Sequence, residues 1–344
     1  MENAFCVTVH DPTQTGEARR TAMELAYALS FDDVEAGNVG LVVTEAARNL
    51  LKHAGGGDLL LRAVGLNHSA AVEVLALDNG PGIANIGRSF DDGYSTAGTP
   101  GNGLGAISRI ASFHDIYSQP QHGTALLALV SRRRRPGSEQ WTIPGRYRIG
   151  AVSVPITGEP VCGDAWSFSE LPEGRGARLI VADGLGHGPL AAEAARAAIR
   201  IHEENRDEGG VELMQSIHNA LRPTRGAAVA FAEIPANQGI VRYTGIGNIG
   251  GSIVGPAGRV QHMVSHAGTA GHEMRKVVSF EYPWDPGNLL VMHSDGLLSR
   301  WSLERYPGLA QRHPSLVAGI LYRDYNRGRD DVTVAVLQAV KGTA

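Results

Sequence analysis

Acidic residues beside glycine or at the edge of an apolar run punctuate the second half of this 344-residue chain: Cys162-Gly163-Asp164, Asp183-Gly184, Asp295-Gly296 and Asp330-Asp331. Hard divalent cations take several oxygen ligands, so carboxylates at separate strand ends can share one where the fold brings them together. Singly, an Asp-Gly pair is a turn signature. The first half carries a different set. Glu45 and Asn49, four residues apart in the helix expected over Asn38 to Ala54, project from one face. Asn49 offers an oxygen to a Mg²⁺ ion that bridges phosphates, and Glu45 a carboxylate that positions or deprotonates a hydroxyl or a water. Asp78 closes the apolar run Val74 to Leu77, where its carboxylate can accept a hydrogen bond from an exocyclic amine such as that of adenine. Gly80 and Gly82 let the backbone pass close to a flat base. The glycine-rich stretch Gly98 to Gly105 opens a helix expected at Leu104 to Ile110, and such a loop with a helix N-terminus makes a phosphate cradle. Gly123 and Thr124 open the last strand of this half.

Those residues need two scaffolds. Single cores tend to divide beyond about 250 to 300 residues, so two domains are expected. A basic, proline- and glycine-containing stretch, Ser131 to Gly145, reads as the extended connector. The boundaries expected are 1–131 for the first domain, 132–145 for a linker and 146–344 for the second domain. In the second domain, strands are expected at Tyr147 to Pro155, Asp164 to Ser169 and Arg178 to Ala182, followed by helices at Leu190 to Glu204 and Val211 to Leu221. Further strands are expected at Ala227 to Ile234, Ile240 to Thr244, Gly251 to Val254, Leu289 to His293 and Val332 to Gln338, with a helical stretch near Ser315 to Asp324. Elements arriving in blocks favour a layered α+β arrangement.

Composition narrows the function classes. With 35 acidic against 31 basic residues the net charge is -4, unlike the basic footprint of a nucleic-acid binder. No apolar run approaches the ~20 residues that span a bilayer, and the first residues lack the pattern of a signal peptide, so neither nucleic acid nor membrane is expected as a partner. Cys6 and Cys162 stand far apart and in no ligand-like cluster, consistent with a reducing cytoplasm.

Taken together and in order, Glu45 and Asn49, Asp78 with Gly80 and Gly82, the stretch to Gly105, and Thr124 resemble the GHKL ATP-binding family of histidine kinases, gyrase-like ATPases and anti-sigma kinases. The phrases EAARNL at Glu45 to Leu50 and DDGYSTAGTPGNGLG at Asp91 to Gly105 look most like its RsbT-like branch. That resemblance implies a GHKL (Bergerat) α/β sandwich in which Asn49 holds Mg²⁺, Glu45 is the base, Asp78 reads adenine, and Gly101, Gly103 and Gly105 form a lid. The second half, from about Gly158 to Gln338, resembles metal-dependent phosphatases of the phosphatase 2C (PPM) type in their short SpoIIE-like, RsbX-like branch. The motifs are LIVADGLGHGPLAA, LLVMHSDGLL and GRDDVTVAV, with RGAA at Arg225 and GIGN at Gly245. It implies an α-β-β-α sandwich in which Asp183 bridges two Mn²⁺ or Mg²⁺ ions, the Gly184 carbonyl meets one of them, and Asp295 and Asp330 complete the set. Asp164 would bind directly or through water, and Asp330 is preferred over Asp331. His187 is an ordinary loop histidine or a proton donor to the departing serine oxygen.

The function implied is bifunctional partner switching. The C-terminal domain would hydrolyse phosphoserine or phosphothreonine on STAS-type antagonist or stressosome-type proteins, with a sigma-factor regulator or another phosphatase as further candidate partners. The N-terminal domain would bind ATP with Mg²⁺ and phosphorylate such proteins, or alternatively hold ATP without chemistry as an anti-sigma or regulatory module.

Overall fold

The structure is a computed structural model that describes residues 4–66, 69–84, 86, 103–132, 146–256 and 258–340. The chain divides into two compact units, one of Glu2–Gly145 with Ser315–Arg323, the other of Arg146–Pro314 with Asp324–Ala344.

In the first unit, β1 (Phe5–Val9), β2 (Gly57–Leu66), β3 (Ser69–Leu77), β4 (Phe113–Ser118) and β5 (Thr124–Ser131) form an antiparallel sheet in the order β1-β2-β3-β5-β4. Helices α1 (Pro12–Ala28), α2 (Asp33–Asn49) and α3 (Gly103–Ile110) pack with one face of it. Alternation along the strands supplies that core: Leu59 and Leu61 of β2, Val72, Val74 and Ala76 of β3, and Leu126, Ala128 and Val130 of β5 meet Ala22, Val39, Val43 and Ile107. Leu60, Leu75, Leu77, Leu127 and Leu129, on the alternate positions, are buried as well. A strand buried on both faces reads as a continuous apolar run.

Both long helices begin with reciprocal caps. Asp11 accepts from Thr13 N while Gln14 reaches back to the Asp11 amide, and Asp32 pairs with Glu35 in the same way. Helix α2 therefore starts at Asp33, five residues before the expected Asn38, and after Asn49 it continues as a π-helical turn, Leu50–Ala54, that ends on left-handed Gly55.

The second unit stacks two five-stranded antiparallel sheets. One runs β13-β10-β9-β8-β7, the other β12-β11-β14-β15-β6. The strands are β6 (Tyr147–Val154), β7 (Asp164–Leu171), β8 (Gly176–Gly184), β9 (Ala227–Pro235), β10 (Ile240–Ile246), β11 (Gly250–Val254), β12 (Val260–Met263), β13 (Ser279–Pro283), β14 (Leu289–His293) and β15 (Val332–Ala339). Trp166, Leu179, Val181, Ala230 and Tyr243 of one sheet meet Ile253, Leu290, Met292, Ala335 and Leu337 of the other. The opposite face of β8 and β9, with Ile180, Ala182, Val229 and Phe231, carries α4 (Pro189–Glu204) and α5 (Gly210–Leu221) through Ala194, Ala198, Leu213 and Ile217. Small alanines on α4 let it lie close to the sheet. The last helix, α6 (Pro314–Tyr325), joins β14 to β15 in sequence, and its residues Ser315–Arg323 belong to the first unit.

Candidate active sites

In the second unit the acidic residues stand at strand tips. Asp164 opens β7 and pairs in register with Asp183, the penultimate residue of β8. Asp295 follows β14, and Asp330 and Asp331 precede β15, the neighbour of β14. Each sheet thus delivers its carboxylates at one end, and hydrogen bonds tie the two ends together. Ser294 Oγ donates to Asp164 Oδ2 at 2.7 Å and accepts from Thr333 N at 2.9 Å. Both oxygens of Asp331 are occupied by backbone amides, Ile156 N on Oδ1 and Gly163 N on Oδ2, each at 2.8 Å. Asp331 therefore fastens both ends of the connection between β6 and β7, which passes from one sheet to the other, while Asp330 accepts from the amide of Asp331 at 2.9 Å. Asn248 Nδ2 donates to Asp295 Oδ2 at 2.8 Å.

The charges of these groups bear on one another. Burial, then the charges of Asp295, Asp330 and Asp331, push Asp183 up to about 7. Asp164 rises well above the carboxylate range through burial and the charge of Asp183. Burial and Asp330 raise Asp295, against a downward pull from Arg327. Asp331 rises through burial, opposed by its two backbone amides. Among the described residues, no three His, Cys, Asp or Glu side chains close to ligation distance around one point. The carboxylates face one another without forming a finished cage, and both observations hold: charges act over longer distances than coordination bonds. A cluster of acidic oxygens that each disfavour ionisation suits hard divalent cations, whose charge reverses that penalty.

Glycine is required where the tips meet. A Cβ on Gly184 would stand 2.0 Å from the Ala191 carbonyl oxygen, and one on Gly296 2.0 Å from that of Asp331. The loop after Asp183 crosses to β9, where Leu185 N donates to Gly226 O at 3.0 Å. His187 Nδ1 lies 2.6 Å from Glu159 Oε1 on an exposed part of that loop.

The first unit gathers a separate constellation. Glu45 and Asn49 share the face of α2 that meets α3: a Cβ on Gly103 would lie 3.1 Å from Asn49 Oδ1 and 3.3 Å from Glu45 Oε2. Asn49 Nδ2 is buried with no hydrogen-bond partner among the described residues, a cost that a phosphate oxygen would offset. Glu45 Oε1 is held by Arg48 at 2.9 Å. Asp78 Oδ1 accepts from Gly80 N at 2.8 Å and Thr124 N at 3.1 Å, so Thr124 enters through its backbone amide, while its hydroxyl lies 2.9 Å from Ser118 Oγ. Burial raises Asp78, while its two amide donors, Arg323 and His53 pull it down. Gly82 sits at φ +73, its missing Cβ 2.3 Å from Gln119 O. Gly105 is buried in α3, and Gly101 lies outside the described residues.

Sequence reasoning did not assign Asn248, Ser294 or Thr333, which orient Asp295 and Asp164. Asn248 had a visible signal in GIGN, whereas Ser294 acts on a residue 130 positions away.

Comparison with known proteins sets both halves in families. Residues 173–340 match the family described as Stage II sporulation protein E (SpoIIE), and residues 8–128 the histidine kinase-like ATPase domain. The serine/threonine-protein kinase RsbT of Bacillus subtilis (strain 168) is 29% identical over 129 residues, 38% of this chain and 97% of that protein. The phosphoserine phosphatase RsbX of the same organism is 26% identical over 140 residues, 41% of this chain and 69% of that protein. A solved chain described under "The bacterial stressosome: a modular system that has been adapted to control secondary messenger signaling" is 30% identical at a TM-score of 0.52, covering 56% of this chain and 100% of that one. Residues 8–128 thus carry a histidine kinase-like ATPase domain, and residues 173–340 a SpoIIE-type metal-dependent serine/threonine phosphatase domain.

Proposed function

We propose that the chain dephosphorylates phosphoserine or phosphothreonine on STAS-type antagonist proteins, and that its ATPase domain phosphorylates such proteins. One observation carries the phosphatase reading: the strand ends of the two sheets present Asp164 and Asp183, paired in register, together with Asp295, Asp330 and Asp331, and burial with that neighbouring charge raises the Asp183 carboxyl, a penalty that divalent cations relieve. Asp183, Asp295 and Asp330, with the Gly184 carbonyl and with Asp164 directly or through water, would hold two Mn²⁺ or Mg²⁺ ions. Such ions supply Lewis-acid charge for the phosphoryl oxygens and a hydroxide nucleophile near neutral pH. The chain's own residues then have distinct tasks. Asn248 keeps one Asp295 oxygen turned, Ser294 fixes Asp164, and Asp331 ties both sheets so that the tips keep their spacing.

In the nucleotide site Asn49 would hold Mg²⁺ of ATP, Asp78 the adenine amine, and Gly80, Gly82, Gly101, Gly103, Gly105 and Thr124 the surrounding backbone. Glu45 would act as base toward the accepting hydroxyl. We read the functional boundaries as 1–131 and 146–344, joined by 132–145, in the cytoplasm, with stressosome-type assemblies as the setting. Support comes from the phosphatase and kinase relatives and from the stressosome chain. Incubation of a phosphorylated STAS protein with the full chain and Mn²⁺ releases inorganic phosphate on this reading; a chain that binds Mn²⁺ yet releases none contradicts it.

A second reading makes the N-terminal domain an ATP-holding regulator without transfer, which the Arg48 bond to Glu45 favours because it occupies one oxygen of the base. Glu45→Ala distinguishes them. On the kinase reading, ATP still binds within about threefold and phosphate transfer to the STAS protein falls at least a hundredfold; transfer that was absent from the start supports the regulator.

A further inference from the structure

In sequence, Ser315–Arg323 lies between Asp295 and Asp330, in the half that carries the phosphatase chemistry, yet it belongs to the compact unit of the nucleotide site. Three of its positions, spaced four apart and so on one face of α6, follow the length of β3. Ser315 Oγ donates to Glu73 Oε2 at 2.7 Å. At Gly319 a Cβ would stand 2.8 Å from Leu75 Cδ2 and 3.0 Å from Leu77 Cδ2, so the glycine lets the helix settle onto the strand. Arg323 Nη1 donates to the carbonyl oxygen of Asp78 at 2.7 Å. The far end of this line is fixed by a buried ion pair, since Glu73 also accepts from Arg62 at 2.8 Å. Slipping α6 by one turn along β3 would break both polar contacts and leave Glu73 short of a donor.

Arg323 completes a clamp on Asp78. The Asp78 amide donates to Thr124 O at 2.9 Å, Oδ1 takes the amides of Gly80 and Thr124, and the carbonyl takes the guanidinium. The hydrogen bonds found to the carboxylate among the described residues all fall on Oδ1, which leaves Oδ2 for a ligand. Gly123, at φ +78, makes room for the clamp: a Cβ there would lie 1.9 Å from Asp78 O and 2.9 Å from Arg323 Nη1. The guanidinium charge also draws the Asp78 carboxyl down against its burial, favouring the acceptor form.

We propose that Arg323 is a positioning residue of the nucleotide site, holding the Asp78 main chain so that its carboxylate meets the exocyclic amine of adenine. ATP recognition then includes a residue contributed from the phosphatase half of the sequence. The inference rests on Asp78 as the adenine contact, and the test separates the two. Affinities of the full chain for ATP and for inosine triphosphate, which has a carbonyl where adenine has its amine, are measured by calorimetry. Wild type prefers ATP; Arg323→Gln loses about tenfold in ATP affinity and most of that preference, and Arg323→Lys recovers part of both. In an Asp78→Asn background Arg323→Gln costs nothing further. Melting curves and Mn²⁺ binding check that the variants fold, and Arg323→Met gives the same reading should the glutamine variant not fold. A folded variant with an unchanged ATP preference, or equal losses for both nucleotides, overturns the positioning role. Wild type without any preference for ATP removes the adenine assignment, and this inference with it.

Discussion

The amide of Asn248 meets Asp295 Oδ2 at 2.8 Å, and a carboxylate so held presents its other oxygen in one direction. Partners of this kind set metal affinity without touching the metal, and their loss costs roughly 10- to 100-fold. Asn248→Ala is therefore expected to weaken Mn²⁺ binding by that factor in calorimetry while ATP affinity stays unchanged; unaltered Mn²⁺ affinity would show that Asp295 needs no such orientation. Asp183 contributes to the response to pH together with Asp164, Asp295 and Asp331, whose carboxyls are raised as well. The Asp183 carboxyl sits at about 7 in the folded chain against an ordinary 3.8, so between those values the folded state binds more protons than the unfolded one. The stability linked to this group is complete below about pH 4 and is lost as pH rises through about 7. Divalent cations bind the ionised form and reverse the sense: Mn²⁺ affinity should rise on going from pH 6 to pH 8, and the Mn²⁺-induced increase in melting temperature should rise with it. Equal affinity at the two values would remove Asp183 from the metal site.

At the scale of elements, two of the strand tips proposed to carry the chemistry, at Asp183 and Asp295, are followed by glycine, and a side chain there would press on the neighbouring main chain. Gly296→Ala would press a methyl group to 2.0 Å from the Asp331 carbonyl oxygen. It should cost about 1–3 kcal/mol in denaturant unfolding and abolish phosphate release, while nucleotide binding survives; a variant with full phosphatase activity would show that this junction tolerates movement. These tips were legible in the sequence because an apolar run ending in Asp-Gly is a local pattern, as in Leu179 to Gly184 and Leu289 to Gly296. The start of α2 at Asp33 was also written locally, in the Asp32 and Glu35 capping box, but the expected helix began at Asn38 because apolar periodicity sets in later than the cap. Helix α1 announced itself by Asp11, Pro12 and Gln14, yet its exposed face dilutes the apolar rhythm and it was not read. Ser294, Thr333 and Asn248 could not be assigned, since each acts on a partner brought in by strand pairing or by the stacking of the two sheets. The alliance of α6 with β3 is of the same kind: Ser315 and Glu73 are 242 positions apart.

Across the whole molecule, the two proposed chemistries are of opposite sense, with the proposed nucleotide site in the unit of Glu2–Gly145 with Ser315–Arg323 and the carboxylate cluster in the unit of Arg146–Pro314 with Asp324–Ala344. No described helix is long and apolar enough to cross a membrane. The modest net charge of -4 leaves recognition of a protein substrate to local surfaces rather than to a long-range field. Everything proposed for the phosphatase depends on Asp183 joining aspartates from two sheets around divalent ions. The most direct measurement is the number of Mn²⁺ ions bound per chain, read together with phosphate release from a phosphorylated STAS protein, for the wild type and for Asp183→Ala. Two ions and steady release are expected for the wild type, with both lost in the variant; an Asp183→Ala chain that still binds two ions and still releases phosphate would contradict the assignment.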